Sequence, residues 1–365
     1  MMRMTAILGT IVLLMLLYPE TGQAQIDVSA HNAVLMEQST GRVLYEKRAH
    51  EQQSVASITK IMTAIIAIES GEMDDITLAS RRAIYTEGSS IYLEQGEKMS
   101  IRDLTYGLML RSGNDAAVAI AEHIGGSVEG FVHLMNEKAQ WLGMTNTNFE
   151  NPHGLESDNH YSTAYDMALL MRYAMNNDTF QQVSETKMYT AETRTYAWKN
   201  KNRLLTQFYN HCTGGKTGFT KKAGRTLVTS AHNNHMNLIA VTLNAPDDWQ
   251  DHINMFEWGF ENYELTAIGE QGEAKYQVKG SKRMITGYYR DRVIFPLTED
   301  EINKLHSETY LIDEKQKSQQ IIGKKIYYID ETPLIETPIL SHEPAEQSNI
   351  ITEITSIYQQ IMGNK

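Results

Sequence analysis

The sequence predicts an α/β domain, in which helices flank an antiparallel sheet, followed by a small β-rich domain. Apolar residues recur at intervals of three and four along residues 58–68, which is typical of a helix with a buried face. Three apolar runs joined by short connections between residues 211 and 243 predict an antiparallel sheet. From about Gly269 short strand patterns dominate, and they indicate a separate domain. We expect the main domain to span residues 25–265 and the second to span residues 270–340.

The composition limits the classes of protein to which this chain can belong. It has 365 residues, of which 41% are hydrophobic and 21% are charged, and this is the composition of a globular protein. The formal net charge of −12 argues against a nucleic-acid partner. No phosphate-binding glycine loop stands out, and His232 and His235, although spaced like metal ligands, lie in a predicted polar turn. We therefore expect no nucleic-acid partner, no cofactor and no metal.

The first 24 residues predict a secretory signal peptide. Arg3 supplies a positive charge, residues 6–17 are apolar, and residues 22–24 resemble a cleavage site. The apolar run is short for a membrane-spanning helix, although a retained N-terminal anchor is an alternative. We expect the protein to be exported and to act outside the cytoplasm. The only cysteine, Cys212, excludes an intramolecular disulfide and is expected to be a small buried residue.

The main domain opens with a predicted β-hairpin, whose apolar runs 33–37 and 43–46 flank a Thr-Gly turn. The helix that follows carries Ser57 at its start and Lys60 three residues later, and positions three apart share a helix face. Burial and the positive end of the helix dipole lower the pKa of such a lysine, so that it can take the proton of the serine. A lone Ser-x-x-Lys is more often a helix cap beside a surface lysine, and residues 184–187 have the same spacing.

A second predicted helical region begins after Ser100, and a further helix spans residues 116–124. Ser112 and Asn114 fall at the break between them, where polar side chains can point into a cleft; a turn with ordinary capping is the alternative. Residues 157–159 form a rival Ser-Asp-Asn, which we discount because its neighbours are polar and no apolar helix leads into it. The remaining predicted helices span residues 131–142, 165–175, 256–263 and 298–305.

The first predicted strand of the sheet contains Lys216 and Thr217 among three glycines, Gly214, Gly215 and Gly218. We expect the glycines to leave a strand edge uncovered, where a ligand could lie alongside the backbone. The lysine and the threonine would then present a cation and a hydroxyl group to a carboxylate. The alternative is a glycine-rich bend with a solvated lysine.

Ser-x-x-Lys, Ser-x-Asn and Lys-Thr-Gly, in this order and on these elements, form the motif set of penicillin-binding proteins and class A β-lactamases. The segments 56–64, 110–117, 151–155 and 215–220 resemble the low-molecular-mass D-alanyl-D-alanine carboxypeptidases, and in detail the sporulation-type enzymes of endospore-forming bacilli. The resemblance covers about residues 30–265. It implies a serine β-lactamase/penicillin-binding-protein-like domain, a small C-terminal β domain and an amphipathic tail that associates with a membrane.

The resemblance also implies a role for each motif residue. Ser57 is the implied nucleophile with Lys60 as its general base, and Ser112 relays protons. The backbone N–H groups of Ser57 and Phe219 form the implied oxyanion hole, usually a large catalytic term. Gly113 stands where class A β-lactamases have aspartate, and there the chain is similar to the carboxypeptidases. The residues implied to bind substrate are Asn114 (the peptide amide), Lys216 and Thr217 (the terminal carboxylate), Gly218 and Phe219.

Three functions are compatible with this set. The first is a serine carboxypeptidase that removes the terminal D-alanine of peptidoglycan stem peptides through an acyl-enzyme and that β-lactams inhibit. The second is a β-lactamase or esterase on the same scaffold, against which the extra C-terminal domain and tail argue. The third is a catalytically silent wall-binding module, against which the intact Ser57, Lys60 and Lys216 argue. The sequence lacks an obvious glutamate for deacylation, so we expect slow release of β-lactams.

Residues 349–365 predict an amphipathic helix with an isoleucine-rich face. Such a segment is too short to span a bilayer but can lie in its surface. Only Lys365 opposes Glu353, so binding to a membrane would come mainly from apolar burial. We expect peripheral attachment to the cell or forespore membrane; docking of the tail on the protein's own β domain is the alternative.

Overall fold

The structure is a computed structural model, and it describes three stretches of the chain: residues 26–277, 282–312 and 321–342. The predicted signal peptide, residues 1–24, and the predicted tail, residues 349–365, lie outside these stretches. The chain divides into two compact units, of which the first ends at Gly259 and the second begins at Phe260. Within the described stretches, no helix is both long enough and apolar enough to cross a bilayer.

Helices carry most of the core of the first unit. A 3-10 turn, Ala56–Thr59, leads directly into the first helix, and a π-helical turn, Gly107–Arg111, follows the third. The helix Asp178–Glu185 is absent from our sequence prediction because Phe180 and Val183 supply too short an apolar pattern. In chain order the helices are α1 (Lys60–Glu69), α2 (Arg81–Ile84), α3 (Ile101–Tyr106), α4 (Asn114–Gly125), α5 (Val128–Trp141), α6 (Ala164–Ala174), α7 (Asp178–Glu185) and α8 (Asp248–Asn262).

One antiparallel sheet of five strands, in the order β2-β1-β9-β8-β7, spans the first unit. The predicted hairpin forms, and its strand β1 also pairs with β9, so it belongs to the same sheet as the later strands. Val34 and Met36 face the helical core, while Leu35 lies against Gly259 on the other side. This arrangement confirms the predicted fold class. The strands of the unit are β1 (Asn32–Glu37), β2 (Val43–Lys47), β3 (Ile76–Leu78), β4 (Lys98–Ser100), β5 (Met188–Tyr189), β6 (Trp198–Lys199), β7 (Cys212–Thr220), β8 (Gly224–Asn233) and β9 (Met236–Leu243).

The helix α1 is the centre of the first unit. It contacts α3, α4, α5, α6 and α7, and every residue from Lys60 to Ile68 is buried. The sequence predicted one buried face, and the surrounding helices cover the other sides as well. Ile61, Met62 and Ile65 are fully buried, and burying one such side chain contributes about 1.5–3 kcal/mol. The same packing encloses Lys60, which is therefore removed from water.

The second unit is built almost entirely of strands. Strands β10 and β13 pair with each other, and five further strands form a sheet in the order β11-β12-β16-β15-β14. Tyr289, Ile322 and Ile339 form its buried core among the described residues, and Thr298 and Glu301 form a capping box at the start of its helix. Its elements are β10 (Glu264–Gly269), β11 (Gly272–Gln277), β12 (Met284–Tyr289), β13 (Val293–Leu297), α9 (Glu299–Lys304), β14 (Leu305–Leu311), β15 (Ile321–Ile329) and β16 (Thr332–Leu340).

Candidate active site

Ser57 and Lys60 meet where the 3-10 turn passes into α1. Lys60 Nζ lies 3.1 Å from Ser57 Oγ, 2.7 Å from Asn114 Oδ1 and 2.6 Å from the carbonyl oxygen of His153. All three partners are neutral oxygens. The lysine side chain is fully buried and none of these three partners is a carboxylate, so a positive charge on the amine would be poorly compensated.

The surroundings of Lys60 favour its neutral form. Burial lowers the pKa of Lys60 well below its usual value, and the nearby charges of Lys216 and then Lys201 lower it further. A neutral amine within hydrogen-bond distance of a serine hydroxyl can accept its proton. The structure therefore brings together the first predicted pair in a geometry suited to nucleophilic catalysis.

Ser112 faces this pair from the break between two helices. It follows the π-helical turn Gly107–Arg111 and has a left-handed backbone with φ of 64°, which is uncommon for a residue other than glycine. Lys216 Nζ donates a hydrogen bond to Ser112 Oγ at 3.1 Å, and burial lowers the pKa of Lys216 to about 7. This hydrogen bond joins Ser112, with its strained backbone, to strand β7 across the cleft.

Asn114 is the first residue of α4, and its side chain is already held by the protein. Its Oδ1 accepts from Lys60, and its Nδ2 donates to the carbonyl oxygen of Glu87 at 2.5 Å. A side-chain amide has two N–H donors and two acceptor lone pairs, so one of each remains for a ligand. A Cβ atom at Gly88, where φ is 93°, would lie 2.7 Å from Nδ2, which explains the glycine there.

Two glycines hold the Ser57 segment from opposite sides. A Cβ atom at Gly218 in β7 would lie 2.9 Å from the backbone nitrogen of Ser57. A Cβ atom at Gly154, where φ is 84°, would collide with the carbonyl oxygen of Ala56. Both positions therefore require glycine. Because they have no side chain, β7 and the turn 151–155 can pack directly against the segment that carries the nucleophile.

The expectation of an open strand edge was wrong at Gly214 and Gly215, although β7 is the edge strand of the sheet and Gly218 lines a cavity. The backbone N–H of Gly215 donates to Ser184 Oγ at 2.8 Å, and Gly214 packs against the same serine. Helix α7 supplies Ser184 and covers this part of the strand. Ser184 is 1% exposed while Lys187 is exposed at the surface, so the rival Ser-x-x-Lys has a structural role.

The other rival residues also lie outside the cleft. Ser157 of the literal Ser-Asp-Asn donates to the carboxylate of Glu150. Burial raises the pKa of the Cys212 thiol to about 12, which leaves it protonated and unreactive. His232 and His235 are exposed at the turn between β8 and β9, as predicted.

A cavity of about 320 Å³, here called the catalytic cavity, collects most of the predicted residues. Sequence reasoning missed Lys201 and Arg225, which belong to no motif; Arg225 Nε binds Asp248 Oδ1 at 3.0 Å. Lys60, Asn114 and Lys216 are buried behind the wall of the cavity. Its lining consists of Ser57, Ser89, Ser112, Lys201, Thr217, Gly218, Phe219, Arg225, Asp248 and Trp249.

Comparison with known proteins shows the family to which a chain with these site residues belongs. A family model described as D-alanyl-D-alanine carboxypeptidase matches residues 19–247. The carboxypeptidase DacF of Bacillus subtilis is 35% identical over 342 residues, which cover 88% of this chain and 87% of that protein. The crystal structure of penicillin binding protein 5 from Haemophilus influenzae matches with a TM-score of 0.78 at 28% identity, over 89% of this chain and 100% of that one. DacD from Francisella tularensis matches with a TM-score of 0.73 at 26% identity, over 89% and 96%. Together with the motif geometry, these matches confirm that the chain belongs to the D-alanyl-D-alanine carboxypeptidase family, the serine-type peptidases of the low-molecular-mass penicillin-binding proteins.

Proposed function

We propose that this chain removes the terminal D-alanine from peptidoglycan stem peptides that end in D-Ala-D-Ala. The observation that carries the proposal is the 3.1 Å contact between the buried Lys60 Nζ and Ser57 Oγ. The family supports the substrate, since relatives such as DacF are named D-alanyl-D-alanine carboxypeptidases. The reaction proceeds through an ester between the peptide and Ser57.

In the first step Ser57 is acylated. The neutral amine of Lys60 takes the hydroxyl proton, and Oγ attacks the carbonyl carbon of the penultimate D-alanine. The backbone N–H groups of Ser57 and Phe219 stabilise the oxyanion. The close approach of Gly218 to the Ser57 nitrogen supports this assignment, because Phe219 follows it in β7. The C–N bond then breaks and the terminal D-alanine leaves.

Ser112 relays a proton to the leaving amine: its hydroxyl group gives its proton to the nitrogen and takes one back from the Lys60 ammonium group, which becomes neutral again. Its hydroxyl group lines the catalytic cavity and accepts a hydrogen bond from Lys216, which donates a further hydrogen bond to the Thr217 carbonyl oxygen. In the second step neutral Lys60 takes a proton from the attacking water molecule and passes it to Ser57 Oγ as the ester C–O bond breaks, and the shortened peptide leaves with a new carboxyl group. Each turnover therefore consumes one water molecule and restores the enzyme.

The terminal carboxylate binds at the cationic end of the catalytic cavity. Thr217 and Lys201 supply a hydroxyl group and a cation to the lining, and the ammonium group of Lys216, buried behind Ser112, adds a second positive charge there. A bound carboxylate offsets the burial of the Lys216 ammonium group and raises its lowered pKa. A free C-terminus is thus the feature that the cavity selects, which favours a carboxypeptidase over an endopeptidase.

The same serine is the target of β-lactams. A β-lactam acylates Ser57 as the peptide does, and the ester is released slowly. Of the described residues that line the catalytic cavity, only Asp248 carries a carboxylate, and Arg225 already binds it. This supports the absence of an efficient base for water attack on the drug ester.

We further propose that the chain is exported by residues 1–24 and is attached to the outer face of the cell or forespore membrane by residues 349–365. Catalysis then belongs to residues 25–265, and residues 270–340 form a separate domain. Binding of full-length protein to membranes should persist in high salt and disappear when residues 349–365 are deleted, with peptidase activity retained. Sedimentation of the truncated protein with membranes contradicts this attachment.

Turnover of two substrates tests the proposed function. Purified protein should release D-alanine from a D-Ala-D-Ala peptide and should turn over penicillin far more slowly, and Ser57→Ala should do neither. Faster turnover of penicillin than of the peptide would identify a β-lactamase instead. Turnover of neither substrate would leave a silent wall-binding module.

A further inference from the structure

A second cavity, of about 510 Å³, lies beside the active site and is here called the side cavity. Its floor is apolar and includes Val118, Val128 and Phe149 from the core around α4 and α5. Its rim is charged, because Arg82, Glu129 and Glu150 all line it; the carboxylate of Glu150 already accepts hydrogen bonds from Ser157 and from the backbone of Asn159. It is larger than the catalytic cavity, and no residue of the Ser-x-x-Lys, Ser-x-Asn or Lys-Thr-Gly motifs lines it.

The side cavity shares two walls with the catalytic machinery. One wall contains His153, whose backbone carbonyl accepts from Lys60 Nζ at 2.6 Å. The other contains Thr86, and the carbonyl of the next residue, Glu87, accepts from Asn114 Nδ2. An extended peptide advances about 3.3–3.6 Å per residue. Lys60 Nζ also lies 3.1 Å from Ser57 Oγ, so this wall is two hydrogen bonds from the nucleophile, and we expect the side chain of a residue shortly before the scissile bond to reach the side cavity.

The charges on the rim form a pair that a ligand can replace. Arg82 Nη2 lies 2.9 Å from Glu129 Oε1 and Nη1 lies 3.3 Å from Oε2, with 53% and 71% of the two side chains exposed. Exposed ion pairs contribute little to stability, so a ligand can replace either partner of this pair at a small cost in free energy. The guanidinium group binds carboxylates in a bidentate fork, and the carboxylate of Glu129 binds ammonium groups. The rim thus complements a group that carries both charges.

His153 adds a neutral hydrogen-bond donor to the wall of the side cavity. Its Nδ1 accepts from the backbone nitrogen of Leu155 at 3.2 Å, so the ring proton is on Nε2. Burial and, after it, the nearby charge of Lys60 lower the pKa of His153 to about 3, so the ring is neutral at physiological pH. Within the described stretches, no hydrogen-bond partner is found for Nε2. The N–H group is therefore available to a ligand oxygen.

We propose that the side cavity binds a side chain of the peptide substrate, an aliphatic chain that ends in an amino-acid head with adjacent ammonium and carboxylate groups. The apolar floor packs against the chain, Arg82 binds the carboxylate and Glu129 binds the ammonium group. The ligand is thus the acyl part of the same peptide that Ser57 attacks. This inference rests on the proposed function and makes Arg82 and Glu129 determinants of its specificity.

Two synthetic peptides that differ in one side chain test the inference. Both end in D-Ala-D-Ala; the preceding residue is meso-diaminopimelate in one and norleucine, which lacks both charges, in the other. We expect kcat/KM to be at least about tenfold higher for the diaminopimelate peptide, because charge-assisted hydrogen bonds form only there. Arg82→Gln should reduce this ratio to near one. Arg102→Gln, which removes a comparable exposed Arg–Asp pair outside the side cavity, should leave it unchanged.

Glu129→Gln provides a second variant and should also lower the ratio, so a failure of Arg82→Gln to fold does not remove the test. A ratio near one in the wild-type enzyme overturns the inference. A kcat/KM ratio that stays unchanged in both variants overturns it as well. So does an equal loss of kcat/KM for the two peptides, which would show that the rim acts on Lys60 and not on the substrate side chain. Absence of turnover with both peptides, in a protein that penicillin does not label, would instead reject the proposed function.

Discussion

Lys216 Nζ lies 3.1 Å from Ser112 Oγ, the same distance that separates Lys60 Nζ from Ser57 Oγ. Two lysine–serine pairs therefore face one cleft, although β7 and the π-helical turn supply one pair and the start of α1 supplies the other. The pairs are coupled, because the charge of Lys216 lowers the pKa of Lys60. Lys60 is suited to remove a proton in its neutral form, whereas Lys216 is suited to bind a carboxylate in its charged form.

We expect kcat/KM for a D-Ala-D-Ala peptide to follow a bell-shaped pH profile. Acylation needs neutral Lys60, so the rate rises as the pH increases through its lowered pKa. Binding of the carboxylate needs charged Lys216, whose pKa is about 7 in the free enzyme, so the rate falls as the pH rises above this value. Steady-state kinetics between about pH 5 and about pH 10 measure both limbs. A rate that climbs without a maximum over this range contradicts the assignment.

Removal of Lys201 should move this profile. The charge of Lys201 lowers the pKa of both Lys60 and Lys216, so Lys201→Met should raise both values and shift both limbs to higher pH. Lys199→Met is the matched control, because Lys199 is exposed and lies outside the catalytic cavity. Kinetics at several pH values measure the shift. Equal profiles for wild type and Lys201→Met would show that Lys201 does not act on the pair.

Much of the site could be predicted from the sequence because its motifs are local. Ser57 and Lys60 are three residues apart, so a single helical turn brings them together. The pairing of Lys216 with Ser112 could be inferred only through the motif set, since 104 positions separate them. The fold class was likewise predictable, because periodic apolar residues determine which face of a helix or strand is buried.

The parts that the sequence did not predict depend on contacts between distant segments. The carbonyl of His153 has no side-chain signature, yet it holds Lys60. Gly215 was expected to be open, but α7 brings Ser184 against it, and the short, polar sequence of α7 has only Phe180 and Val183 as buried apolar residues. Arg225 occurs in an ordinary strand and becomes part of the cavity only because β8 lies beside β7.

Gly218→Ala should reduce both peptide hydrolysis and penicillin labelling by about 10²-fold. The new Cβ atom would collide with Thr226 Oγ1 and lie 2.9 Å from the Ser57 nitrogen, so β7 must shift relative to the nucleophile, and a shift of about 1 Å is sufficient for such a loss. Labelling rates with a fluorescent penicillin measure the effect. Gly143→Ala is the control, since it strains a positive φ without any neighbour within 4 Å. It should lower stability by about 1 kcal/mol and leave labelling intact. Equal labelling of the two variants would contradict the conclusion that Gly218 must be glycine for β7 to pack against Ser57.

Ser112→Ala should lower kcat/KM for the peptide by about 10²-fold, a typical scale for a proton-transfer group. The hydroxyl group of Ser112 is held by Lys216 in the catalytic cavity. Ser157→Ala is the matched control, because Ser157 belongs to the rival motif and its hydroxyl group binds Glu150 outside that cavity. It should change the rate little. Comparable losses in the two variants would show that the choice between the two motifs was wrong.

Ser57→Ala and Ser184→Ala should have opposite effects on activity and stability. Ser57→Ala abolishes covalent labelling by penicillin, because it removes the hydroxyl group beside Lys60 Nζ. Ser184→Ala keeps the label but leaves the buried N–H of Gly215 without its partner, which costs about 1–3 kcal/mol of unfolding free energy. Mass spectrometry of digested, labelled protein and urea denaturation measure the two effects. Since both serines precede a lysine by three residues, a label on the peptide that contains Ser184 would transfer the role of nucleophile to it.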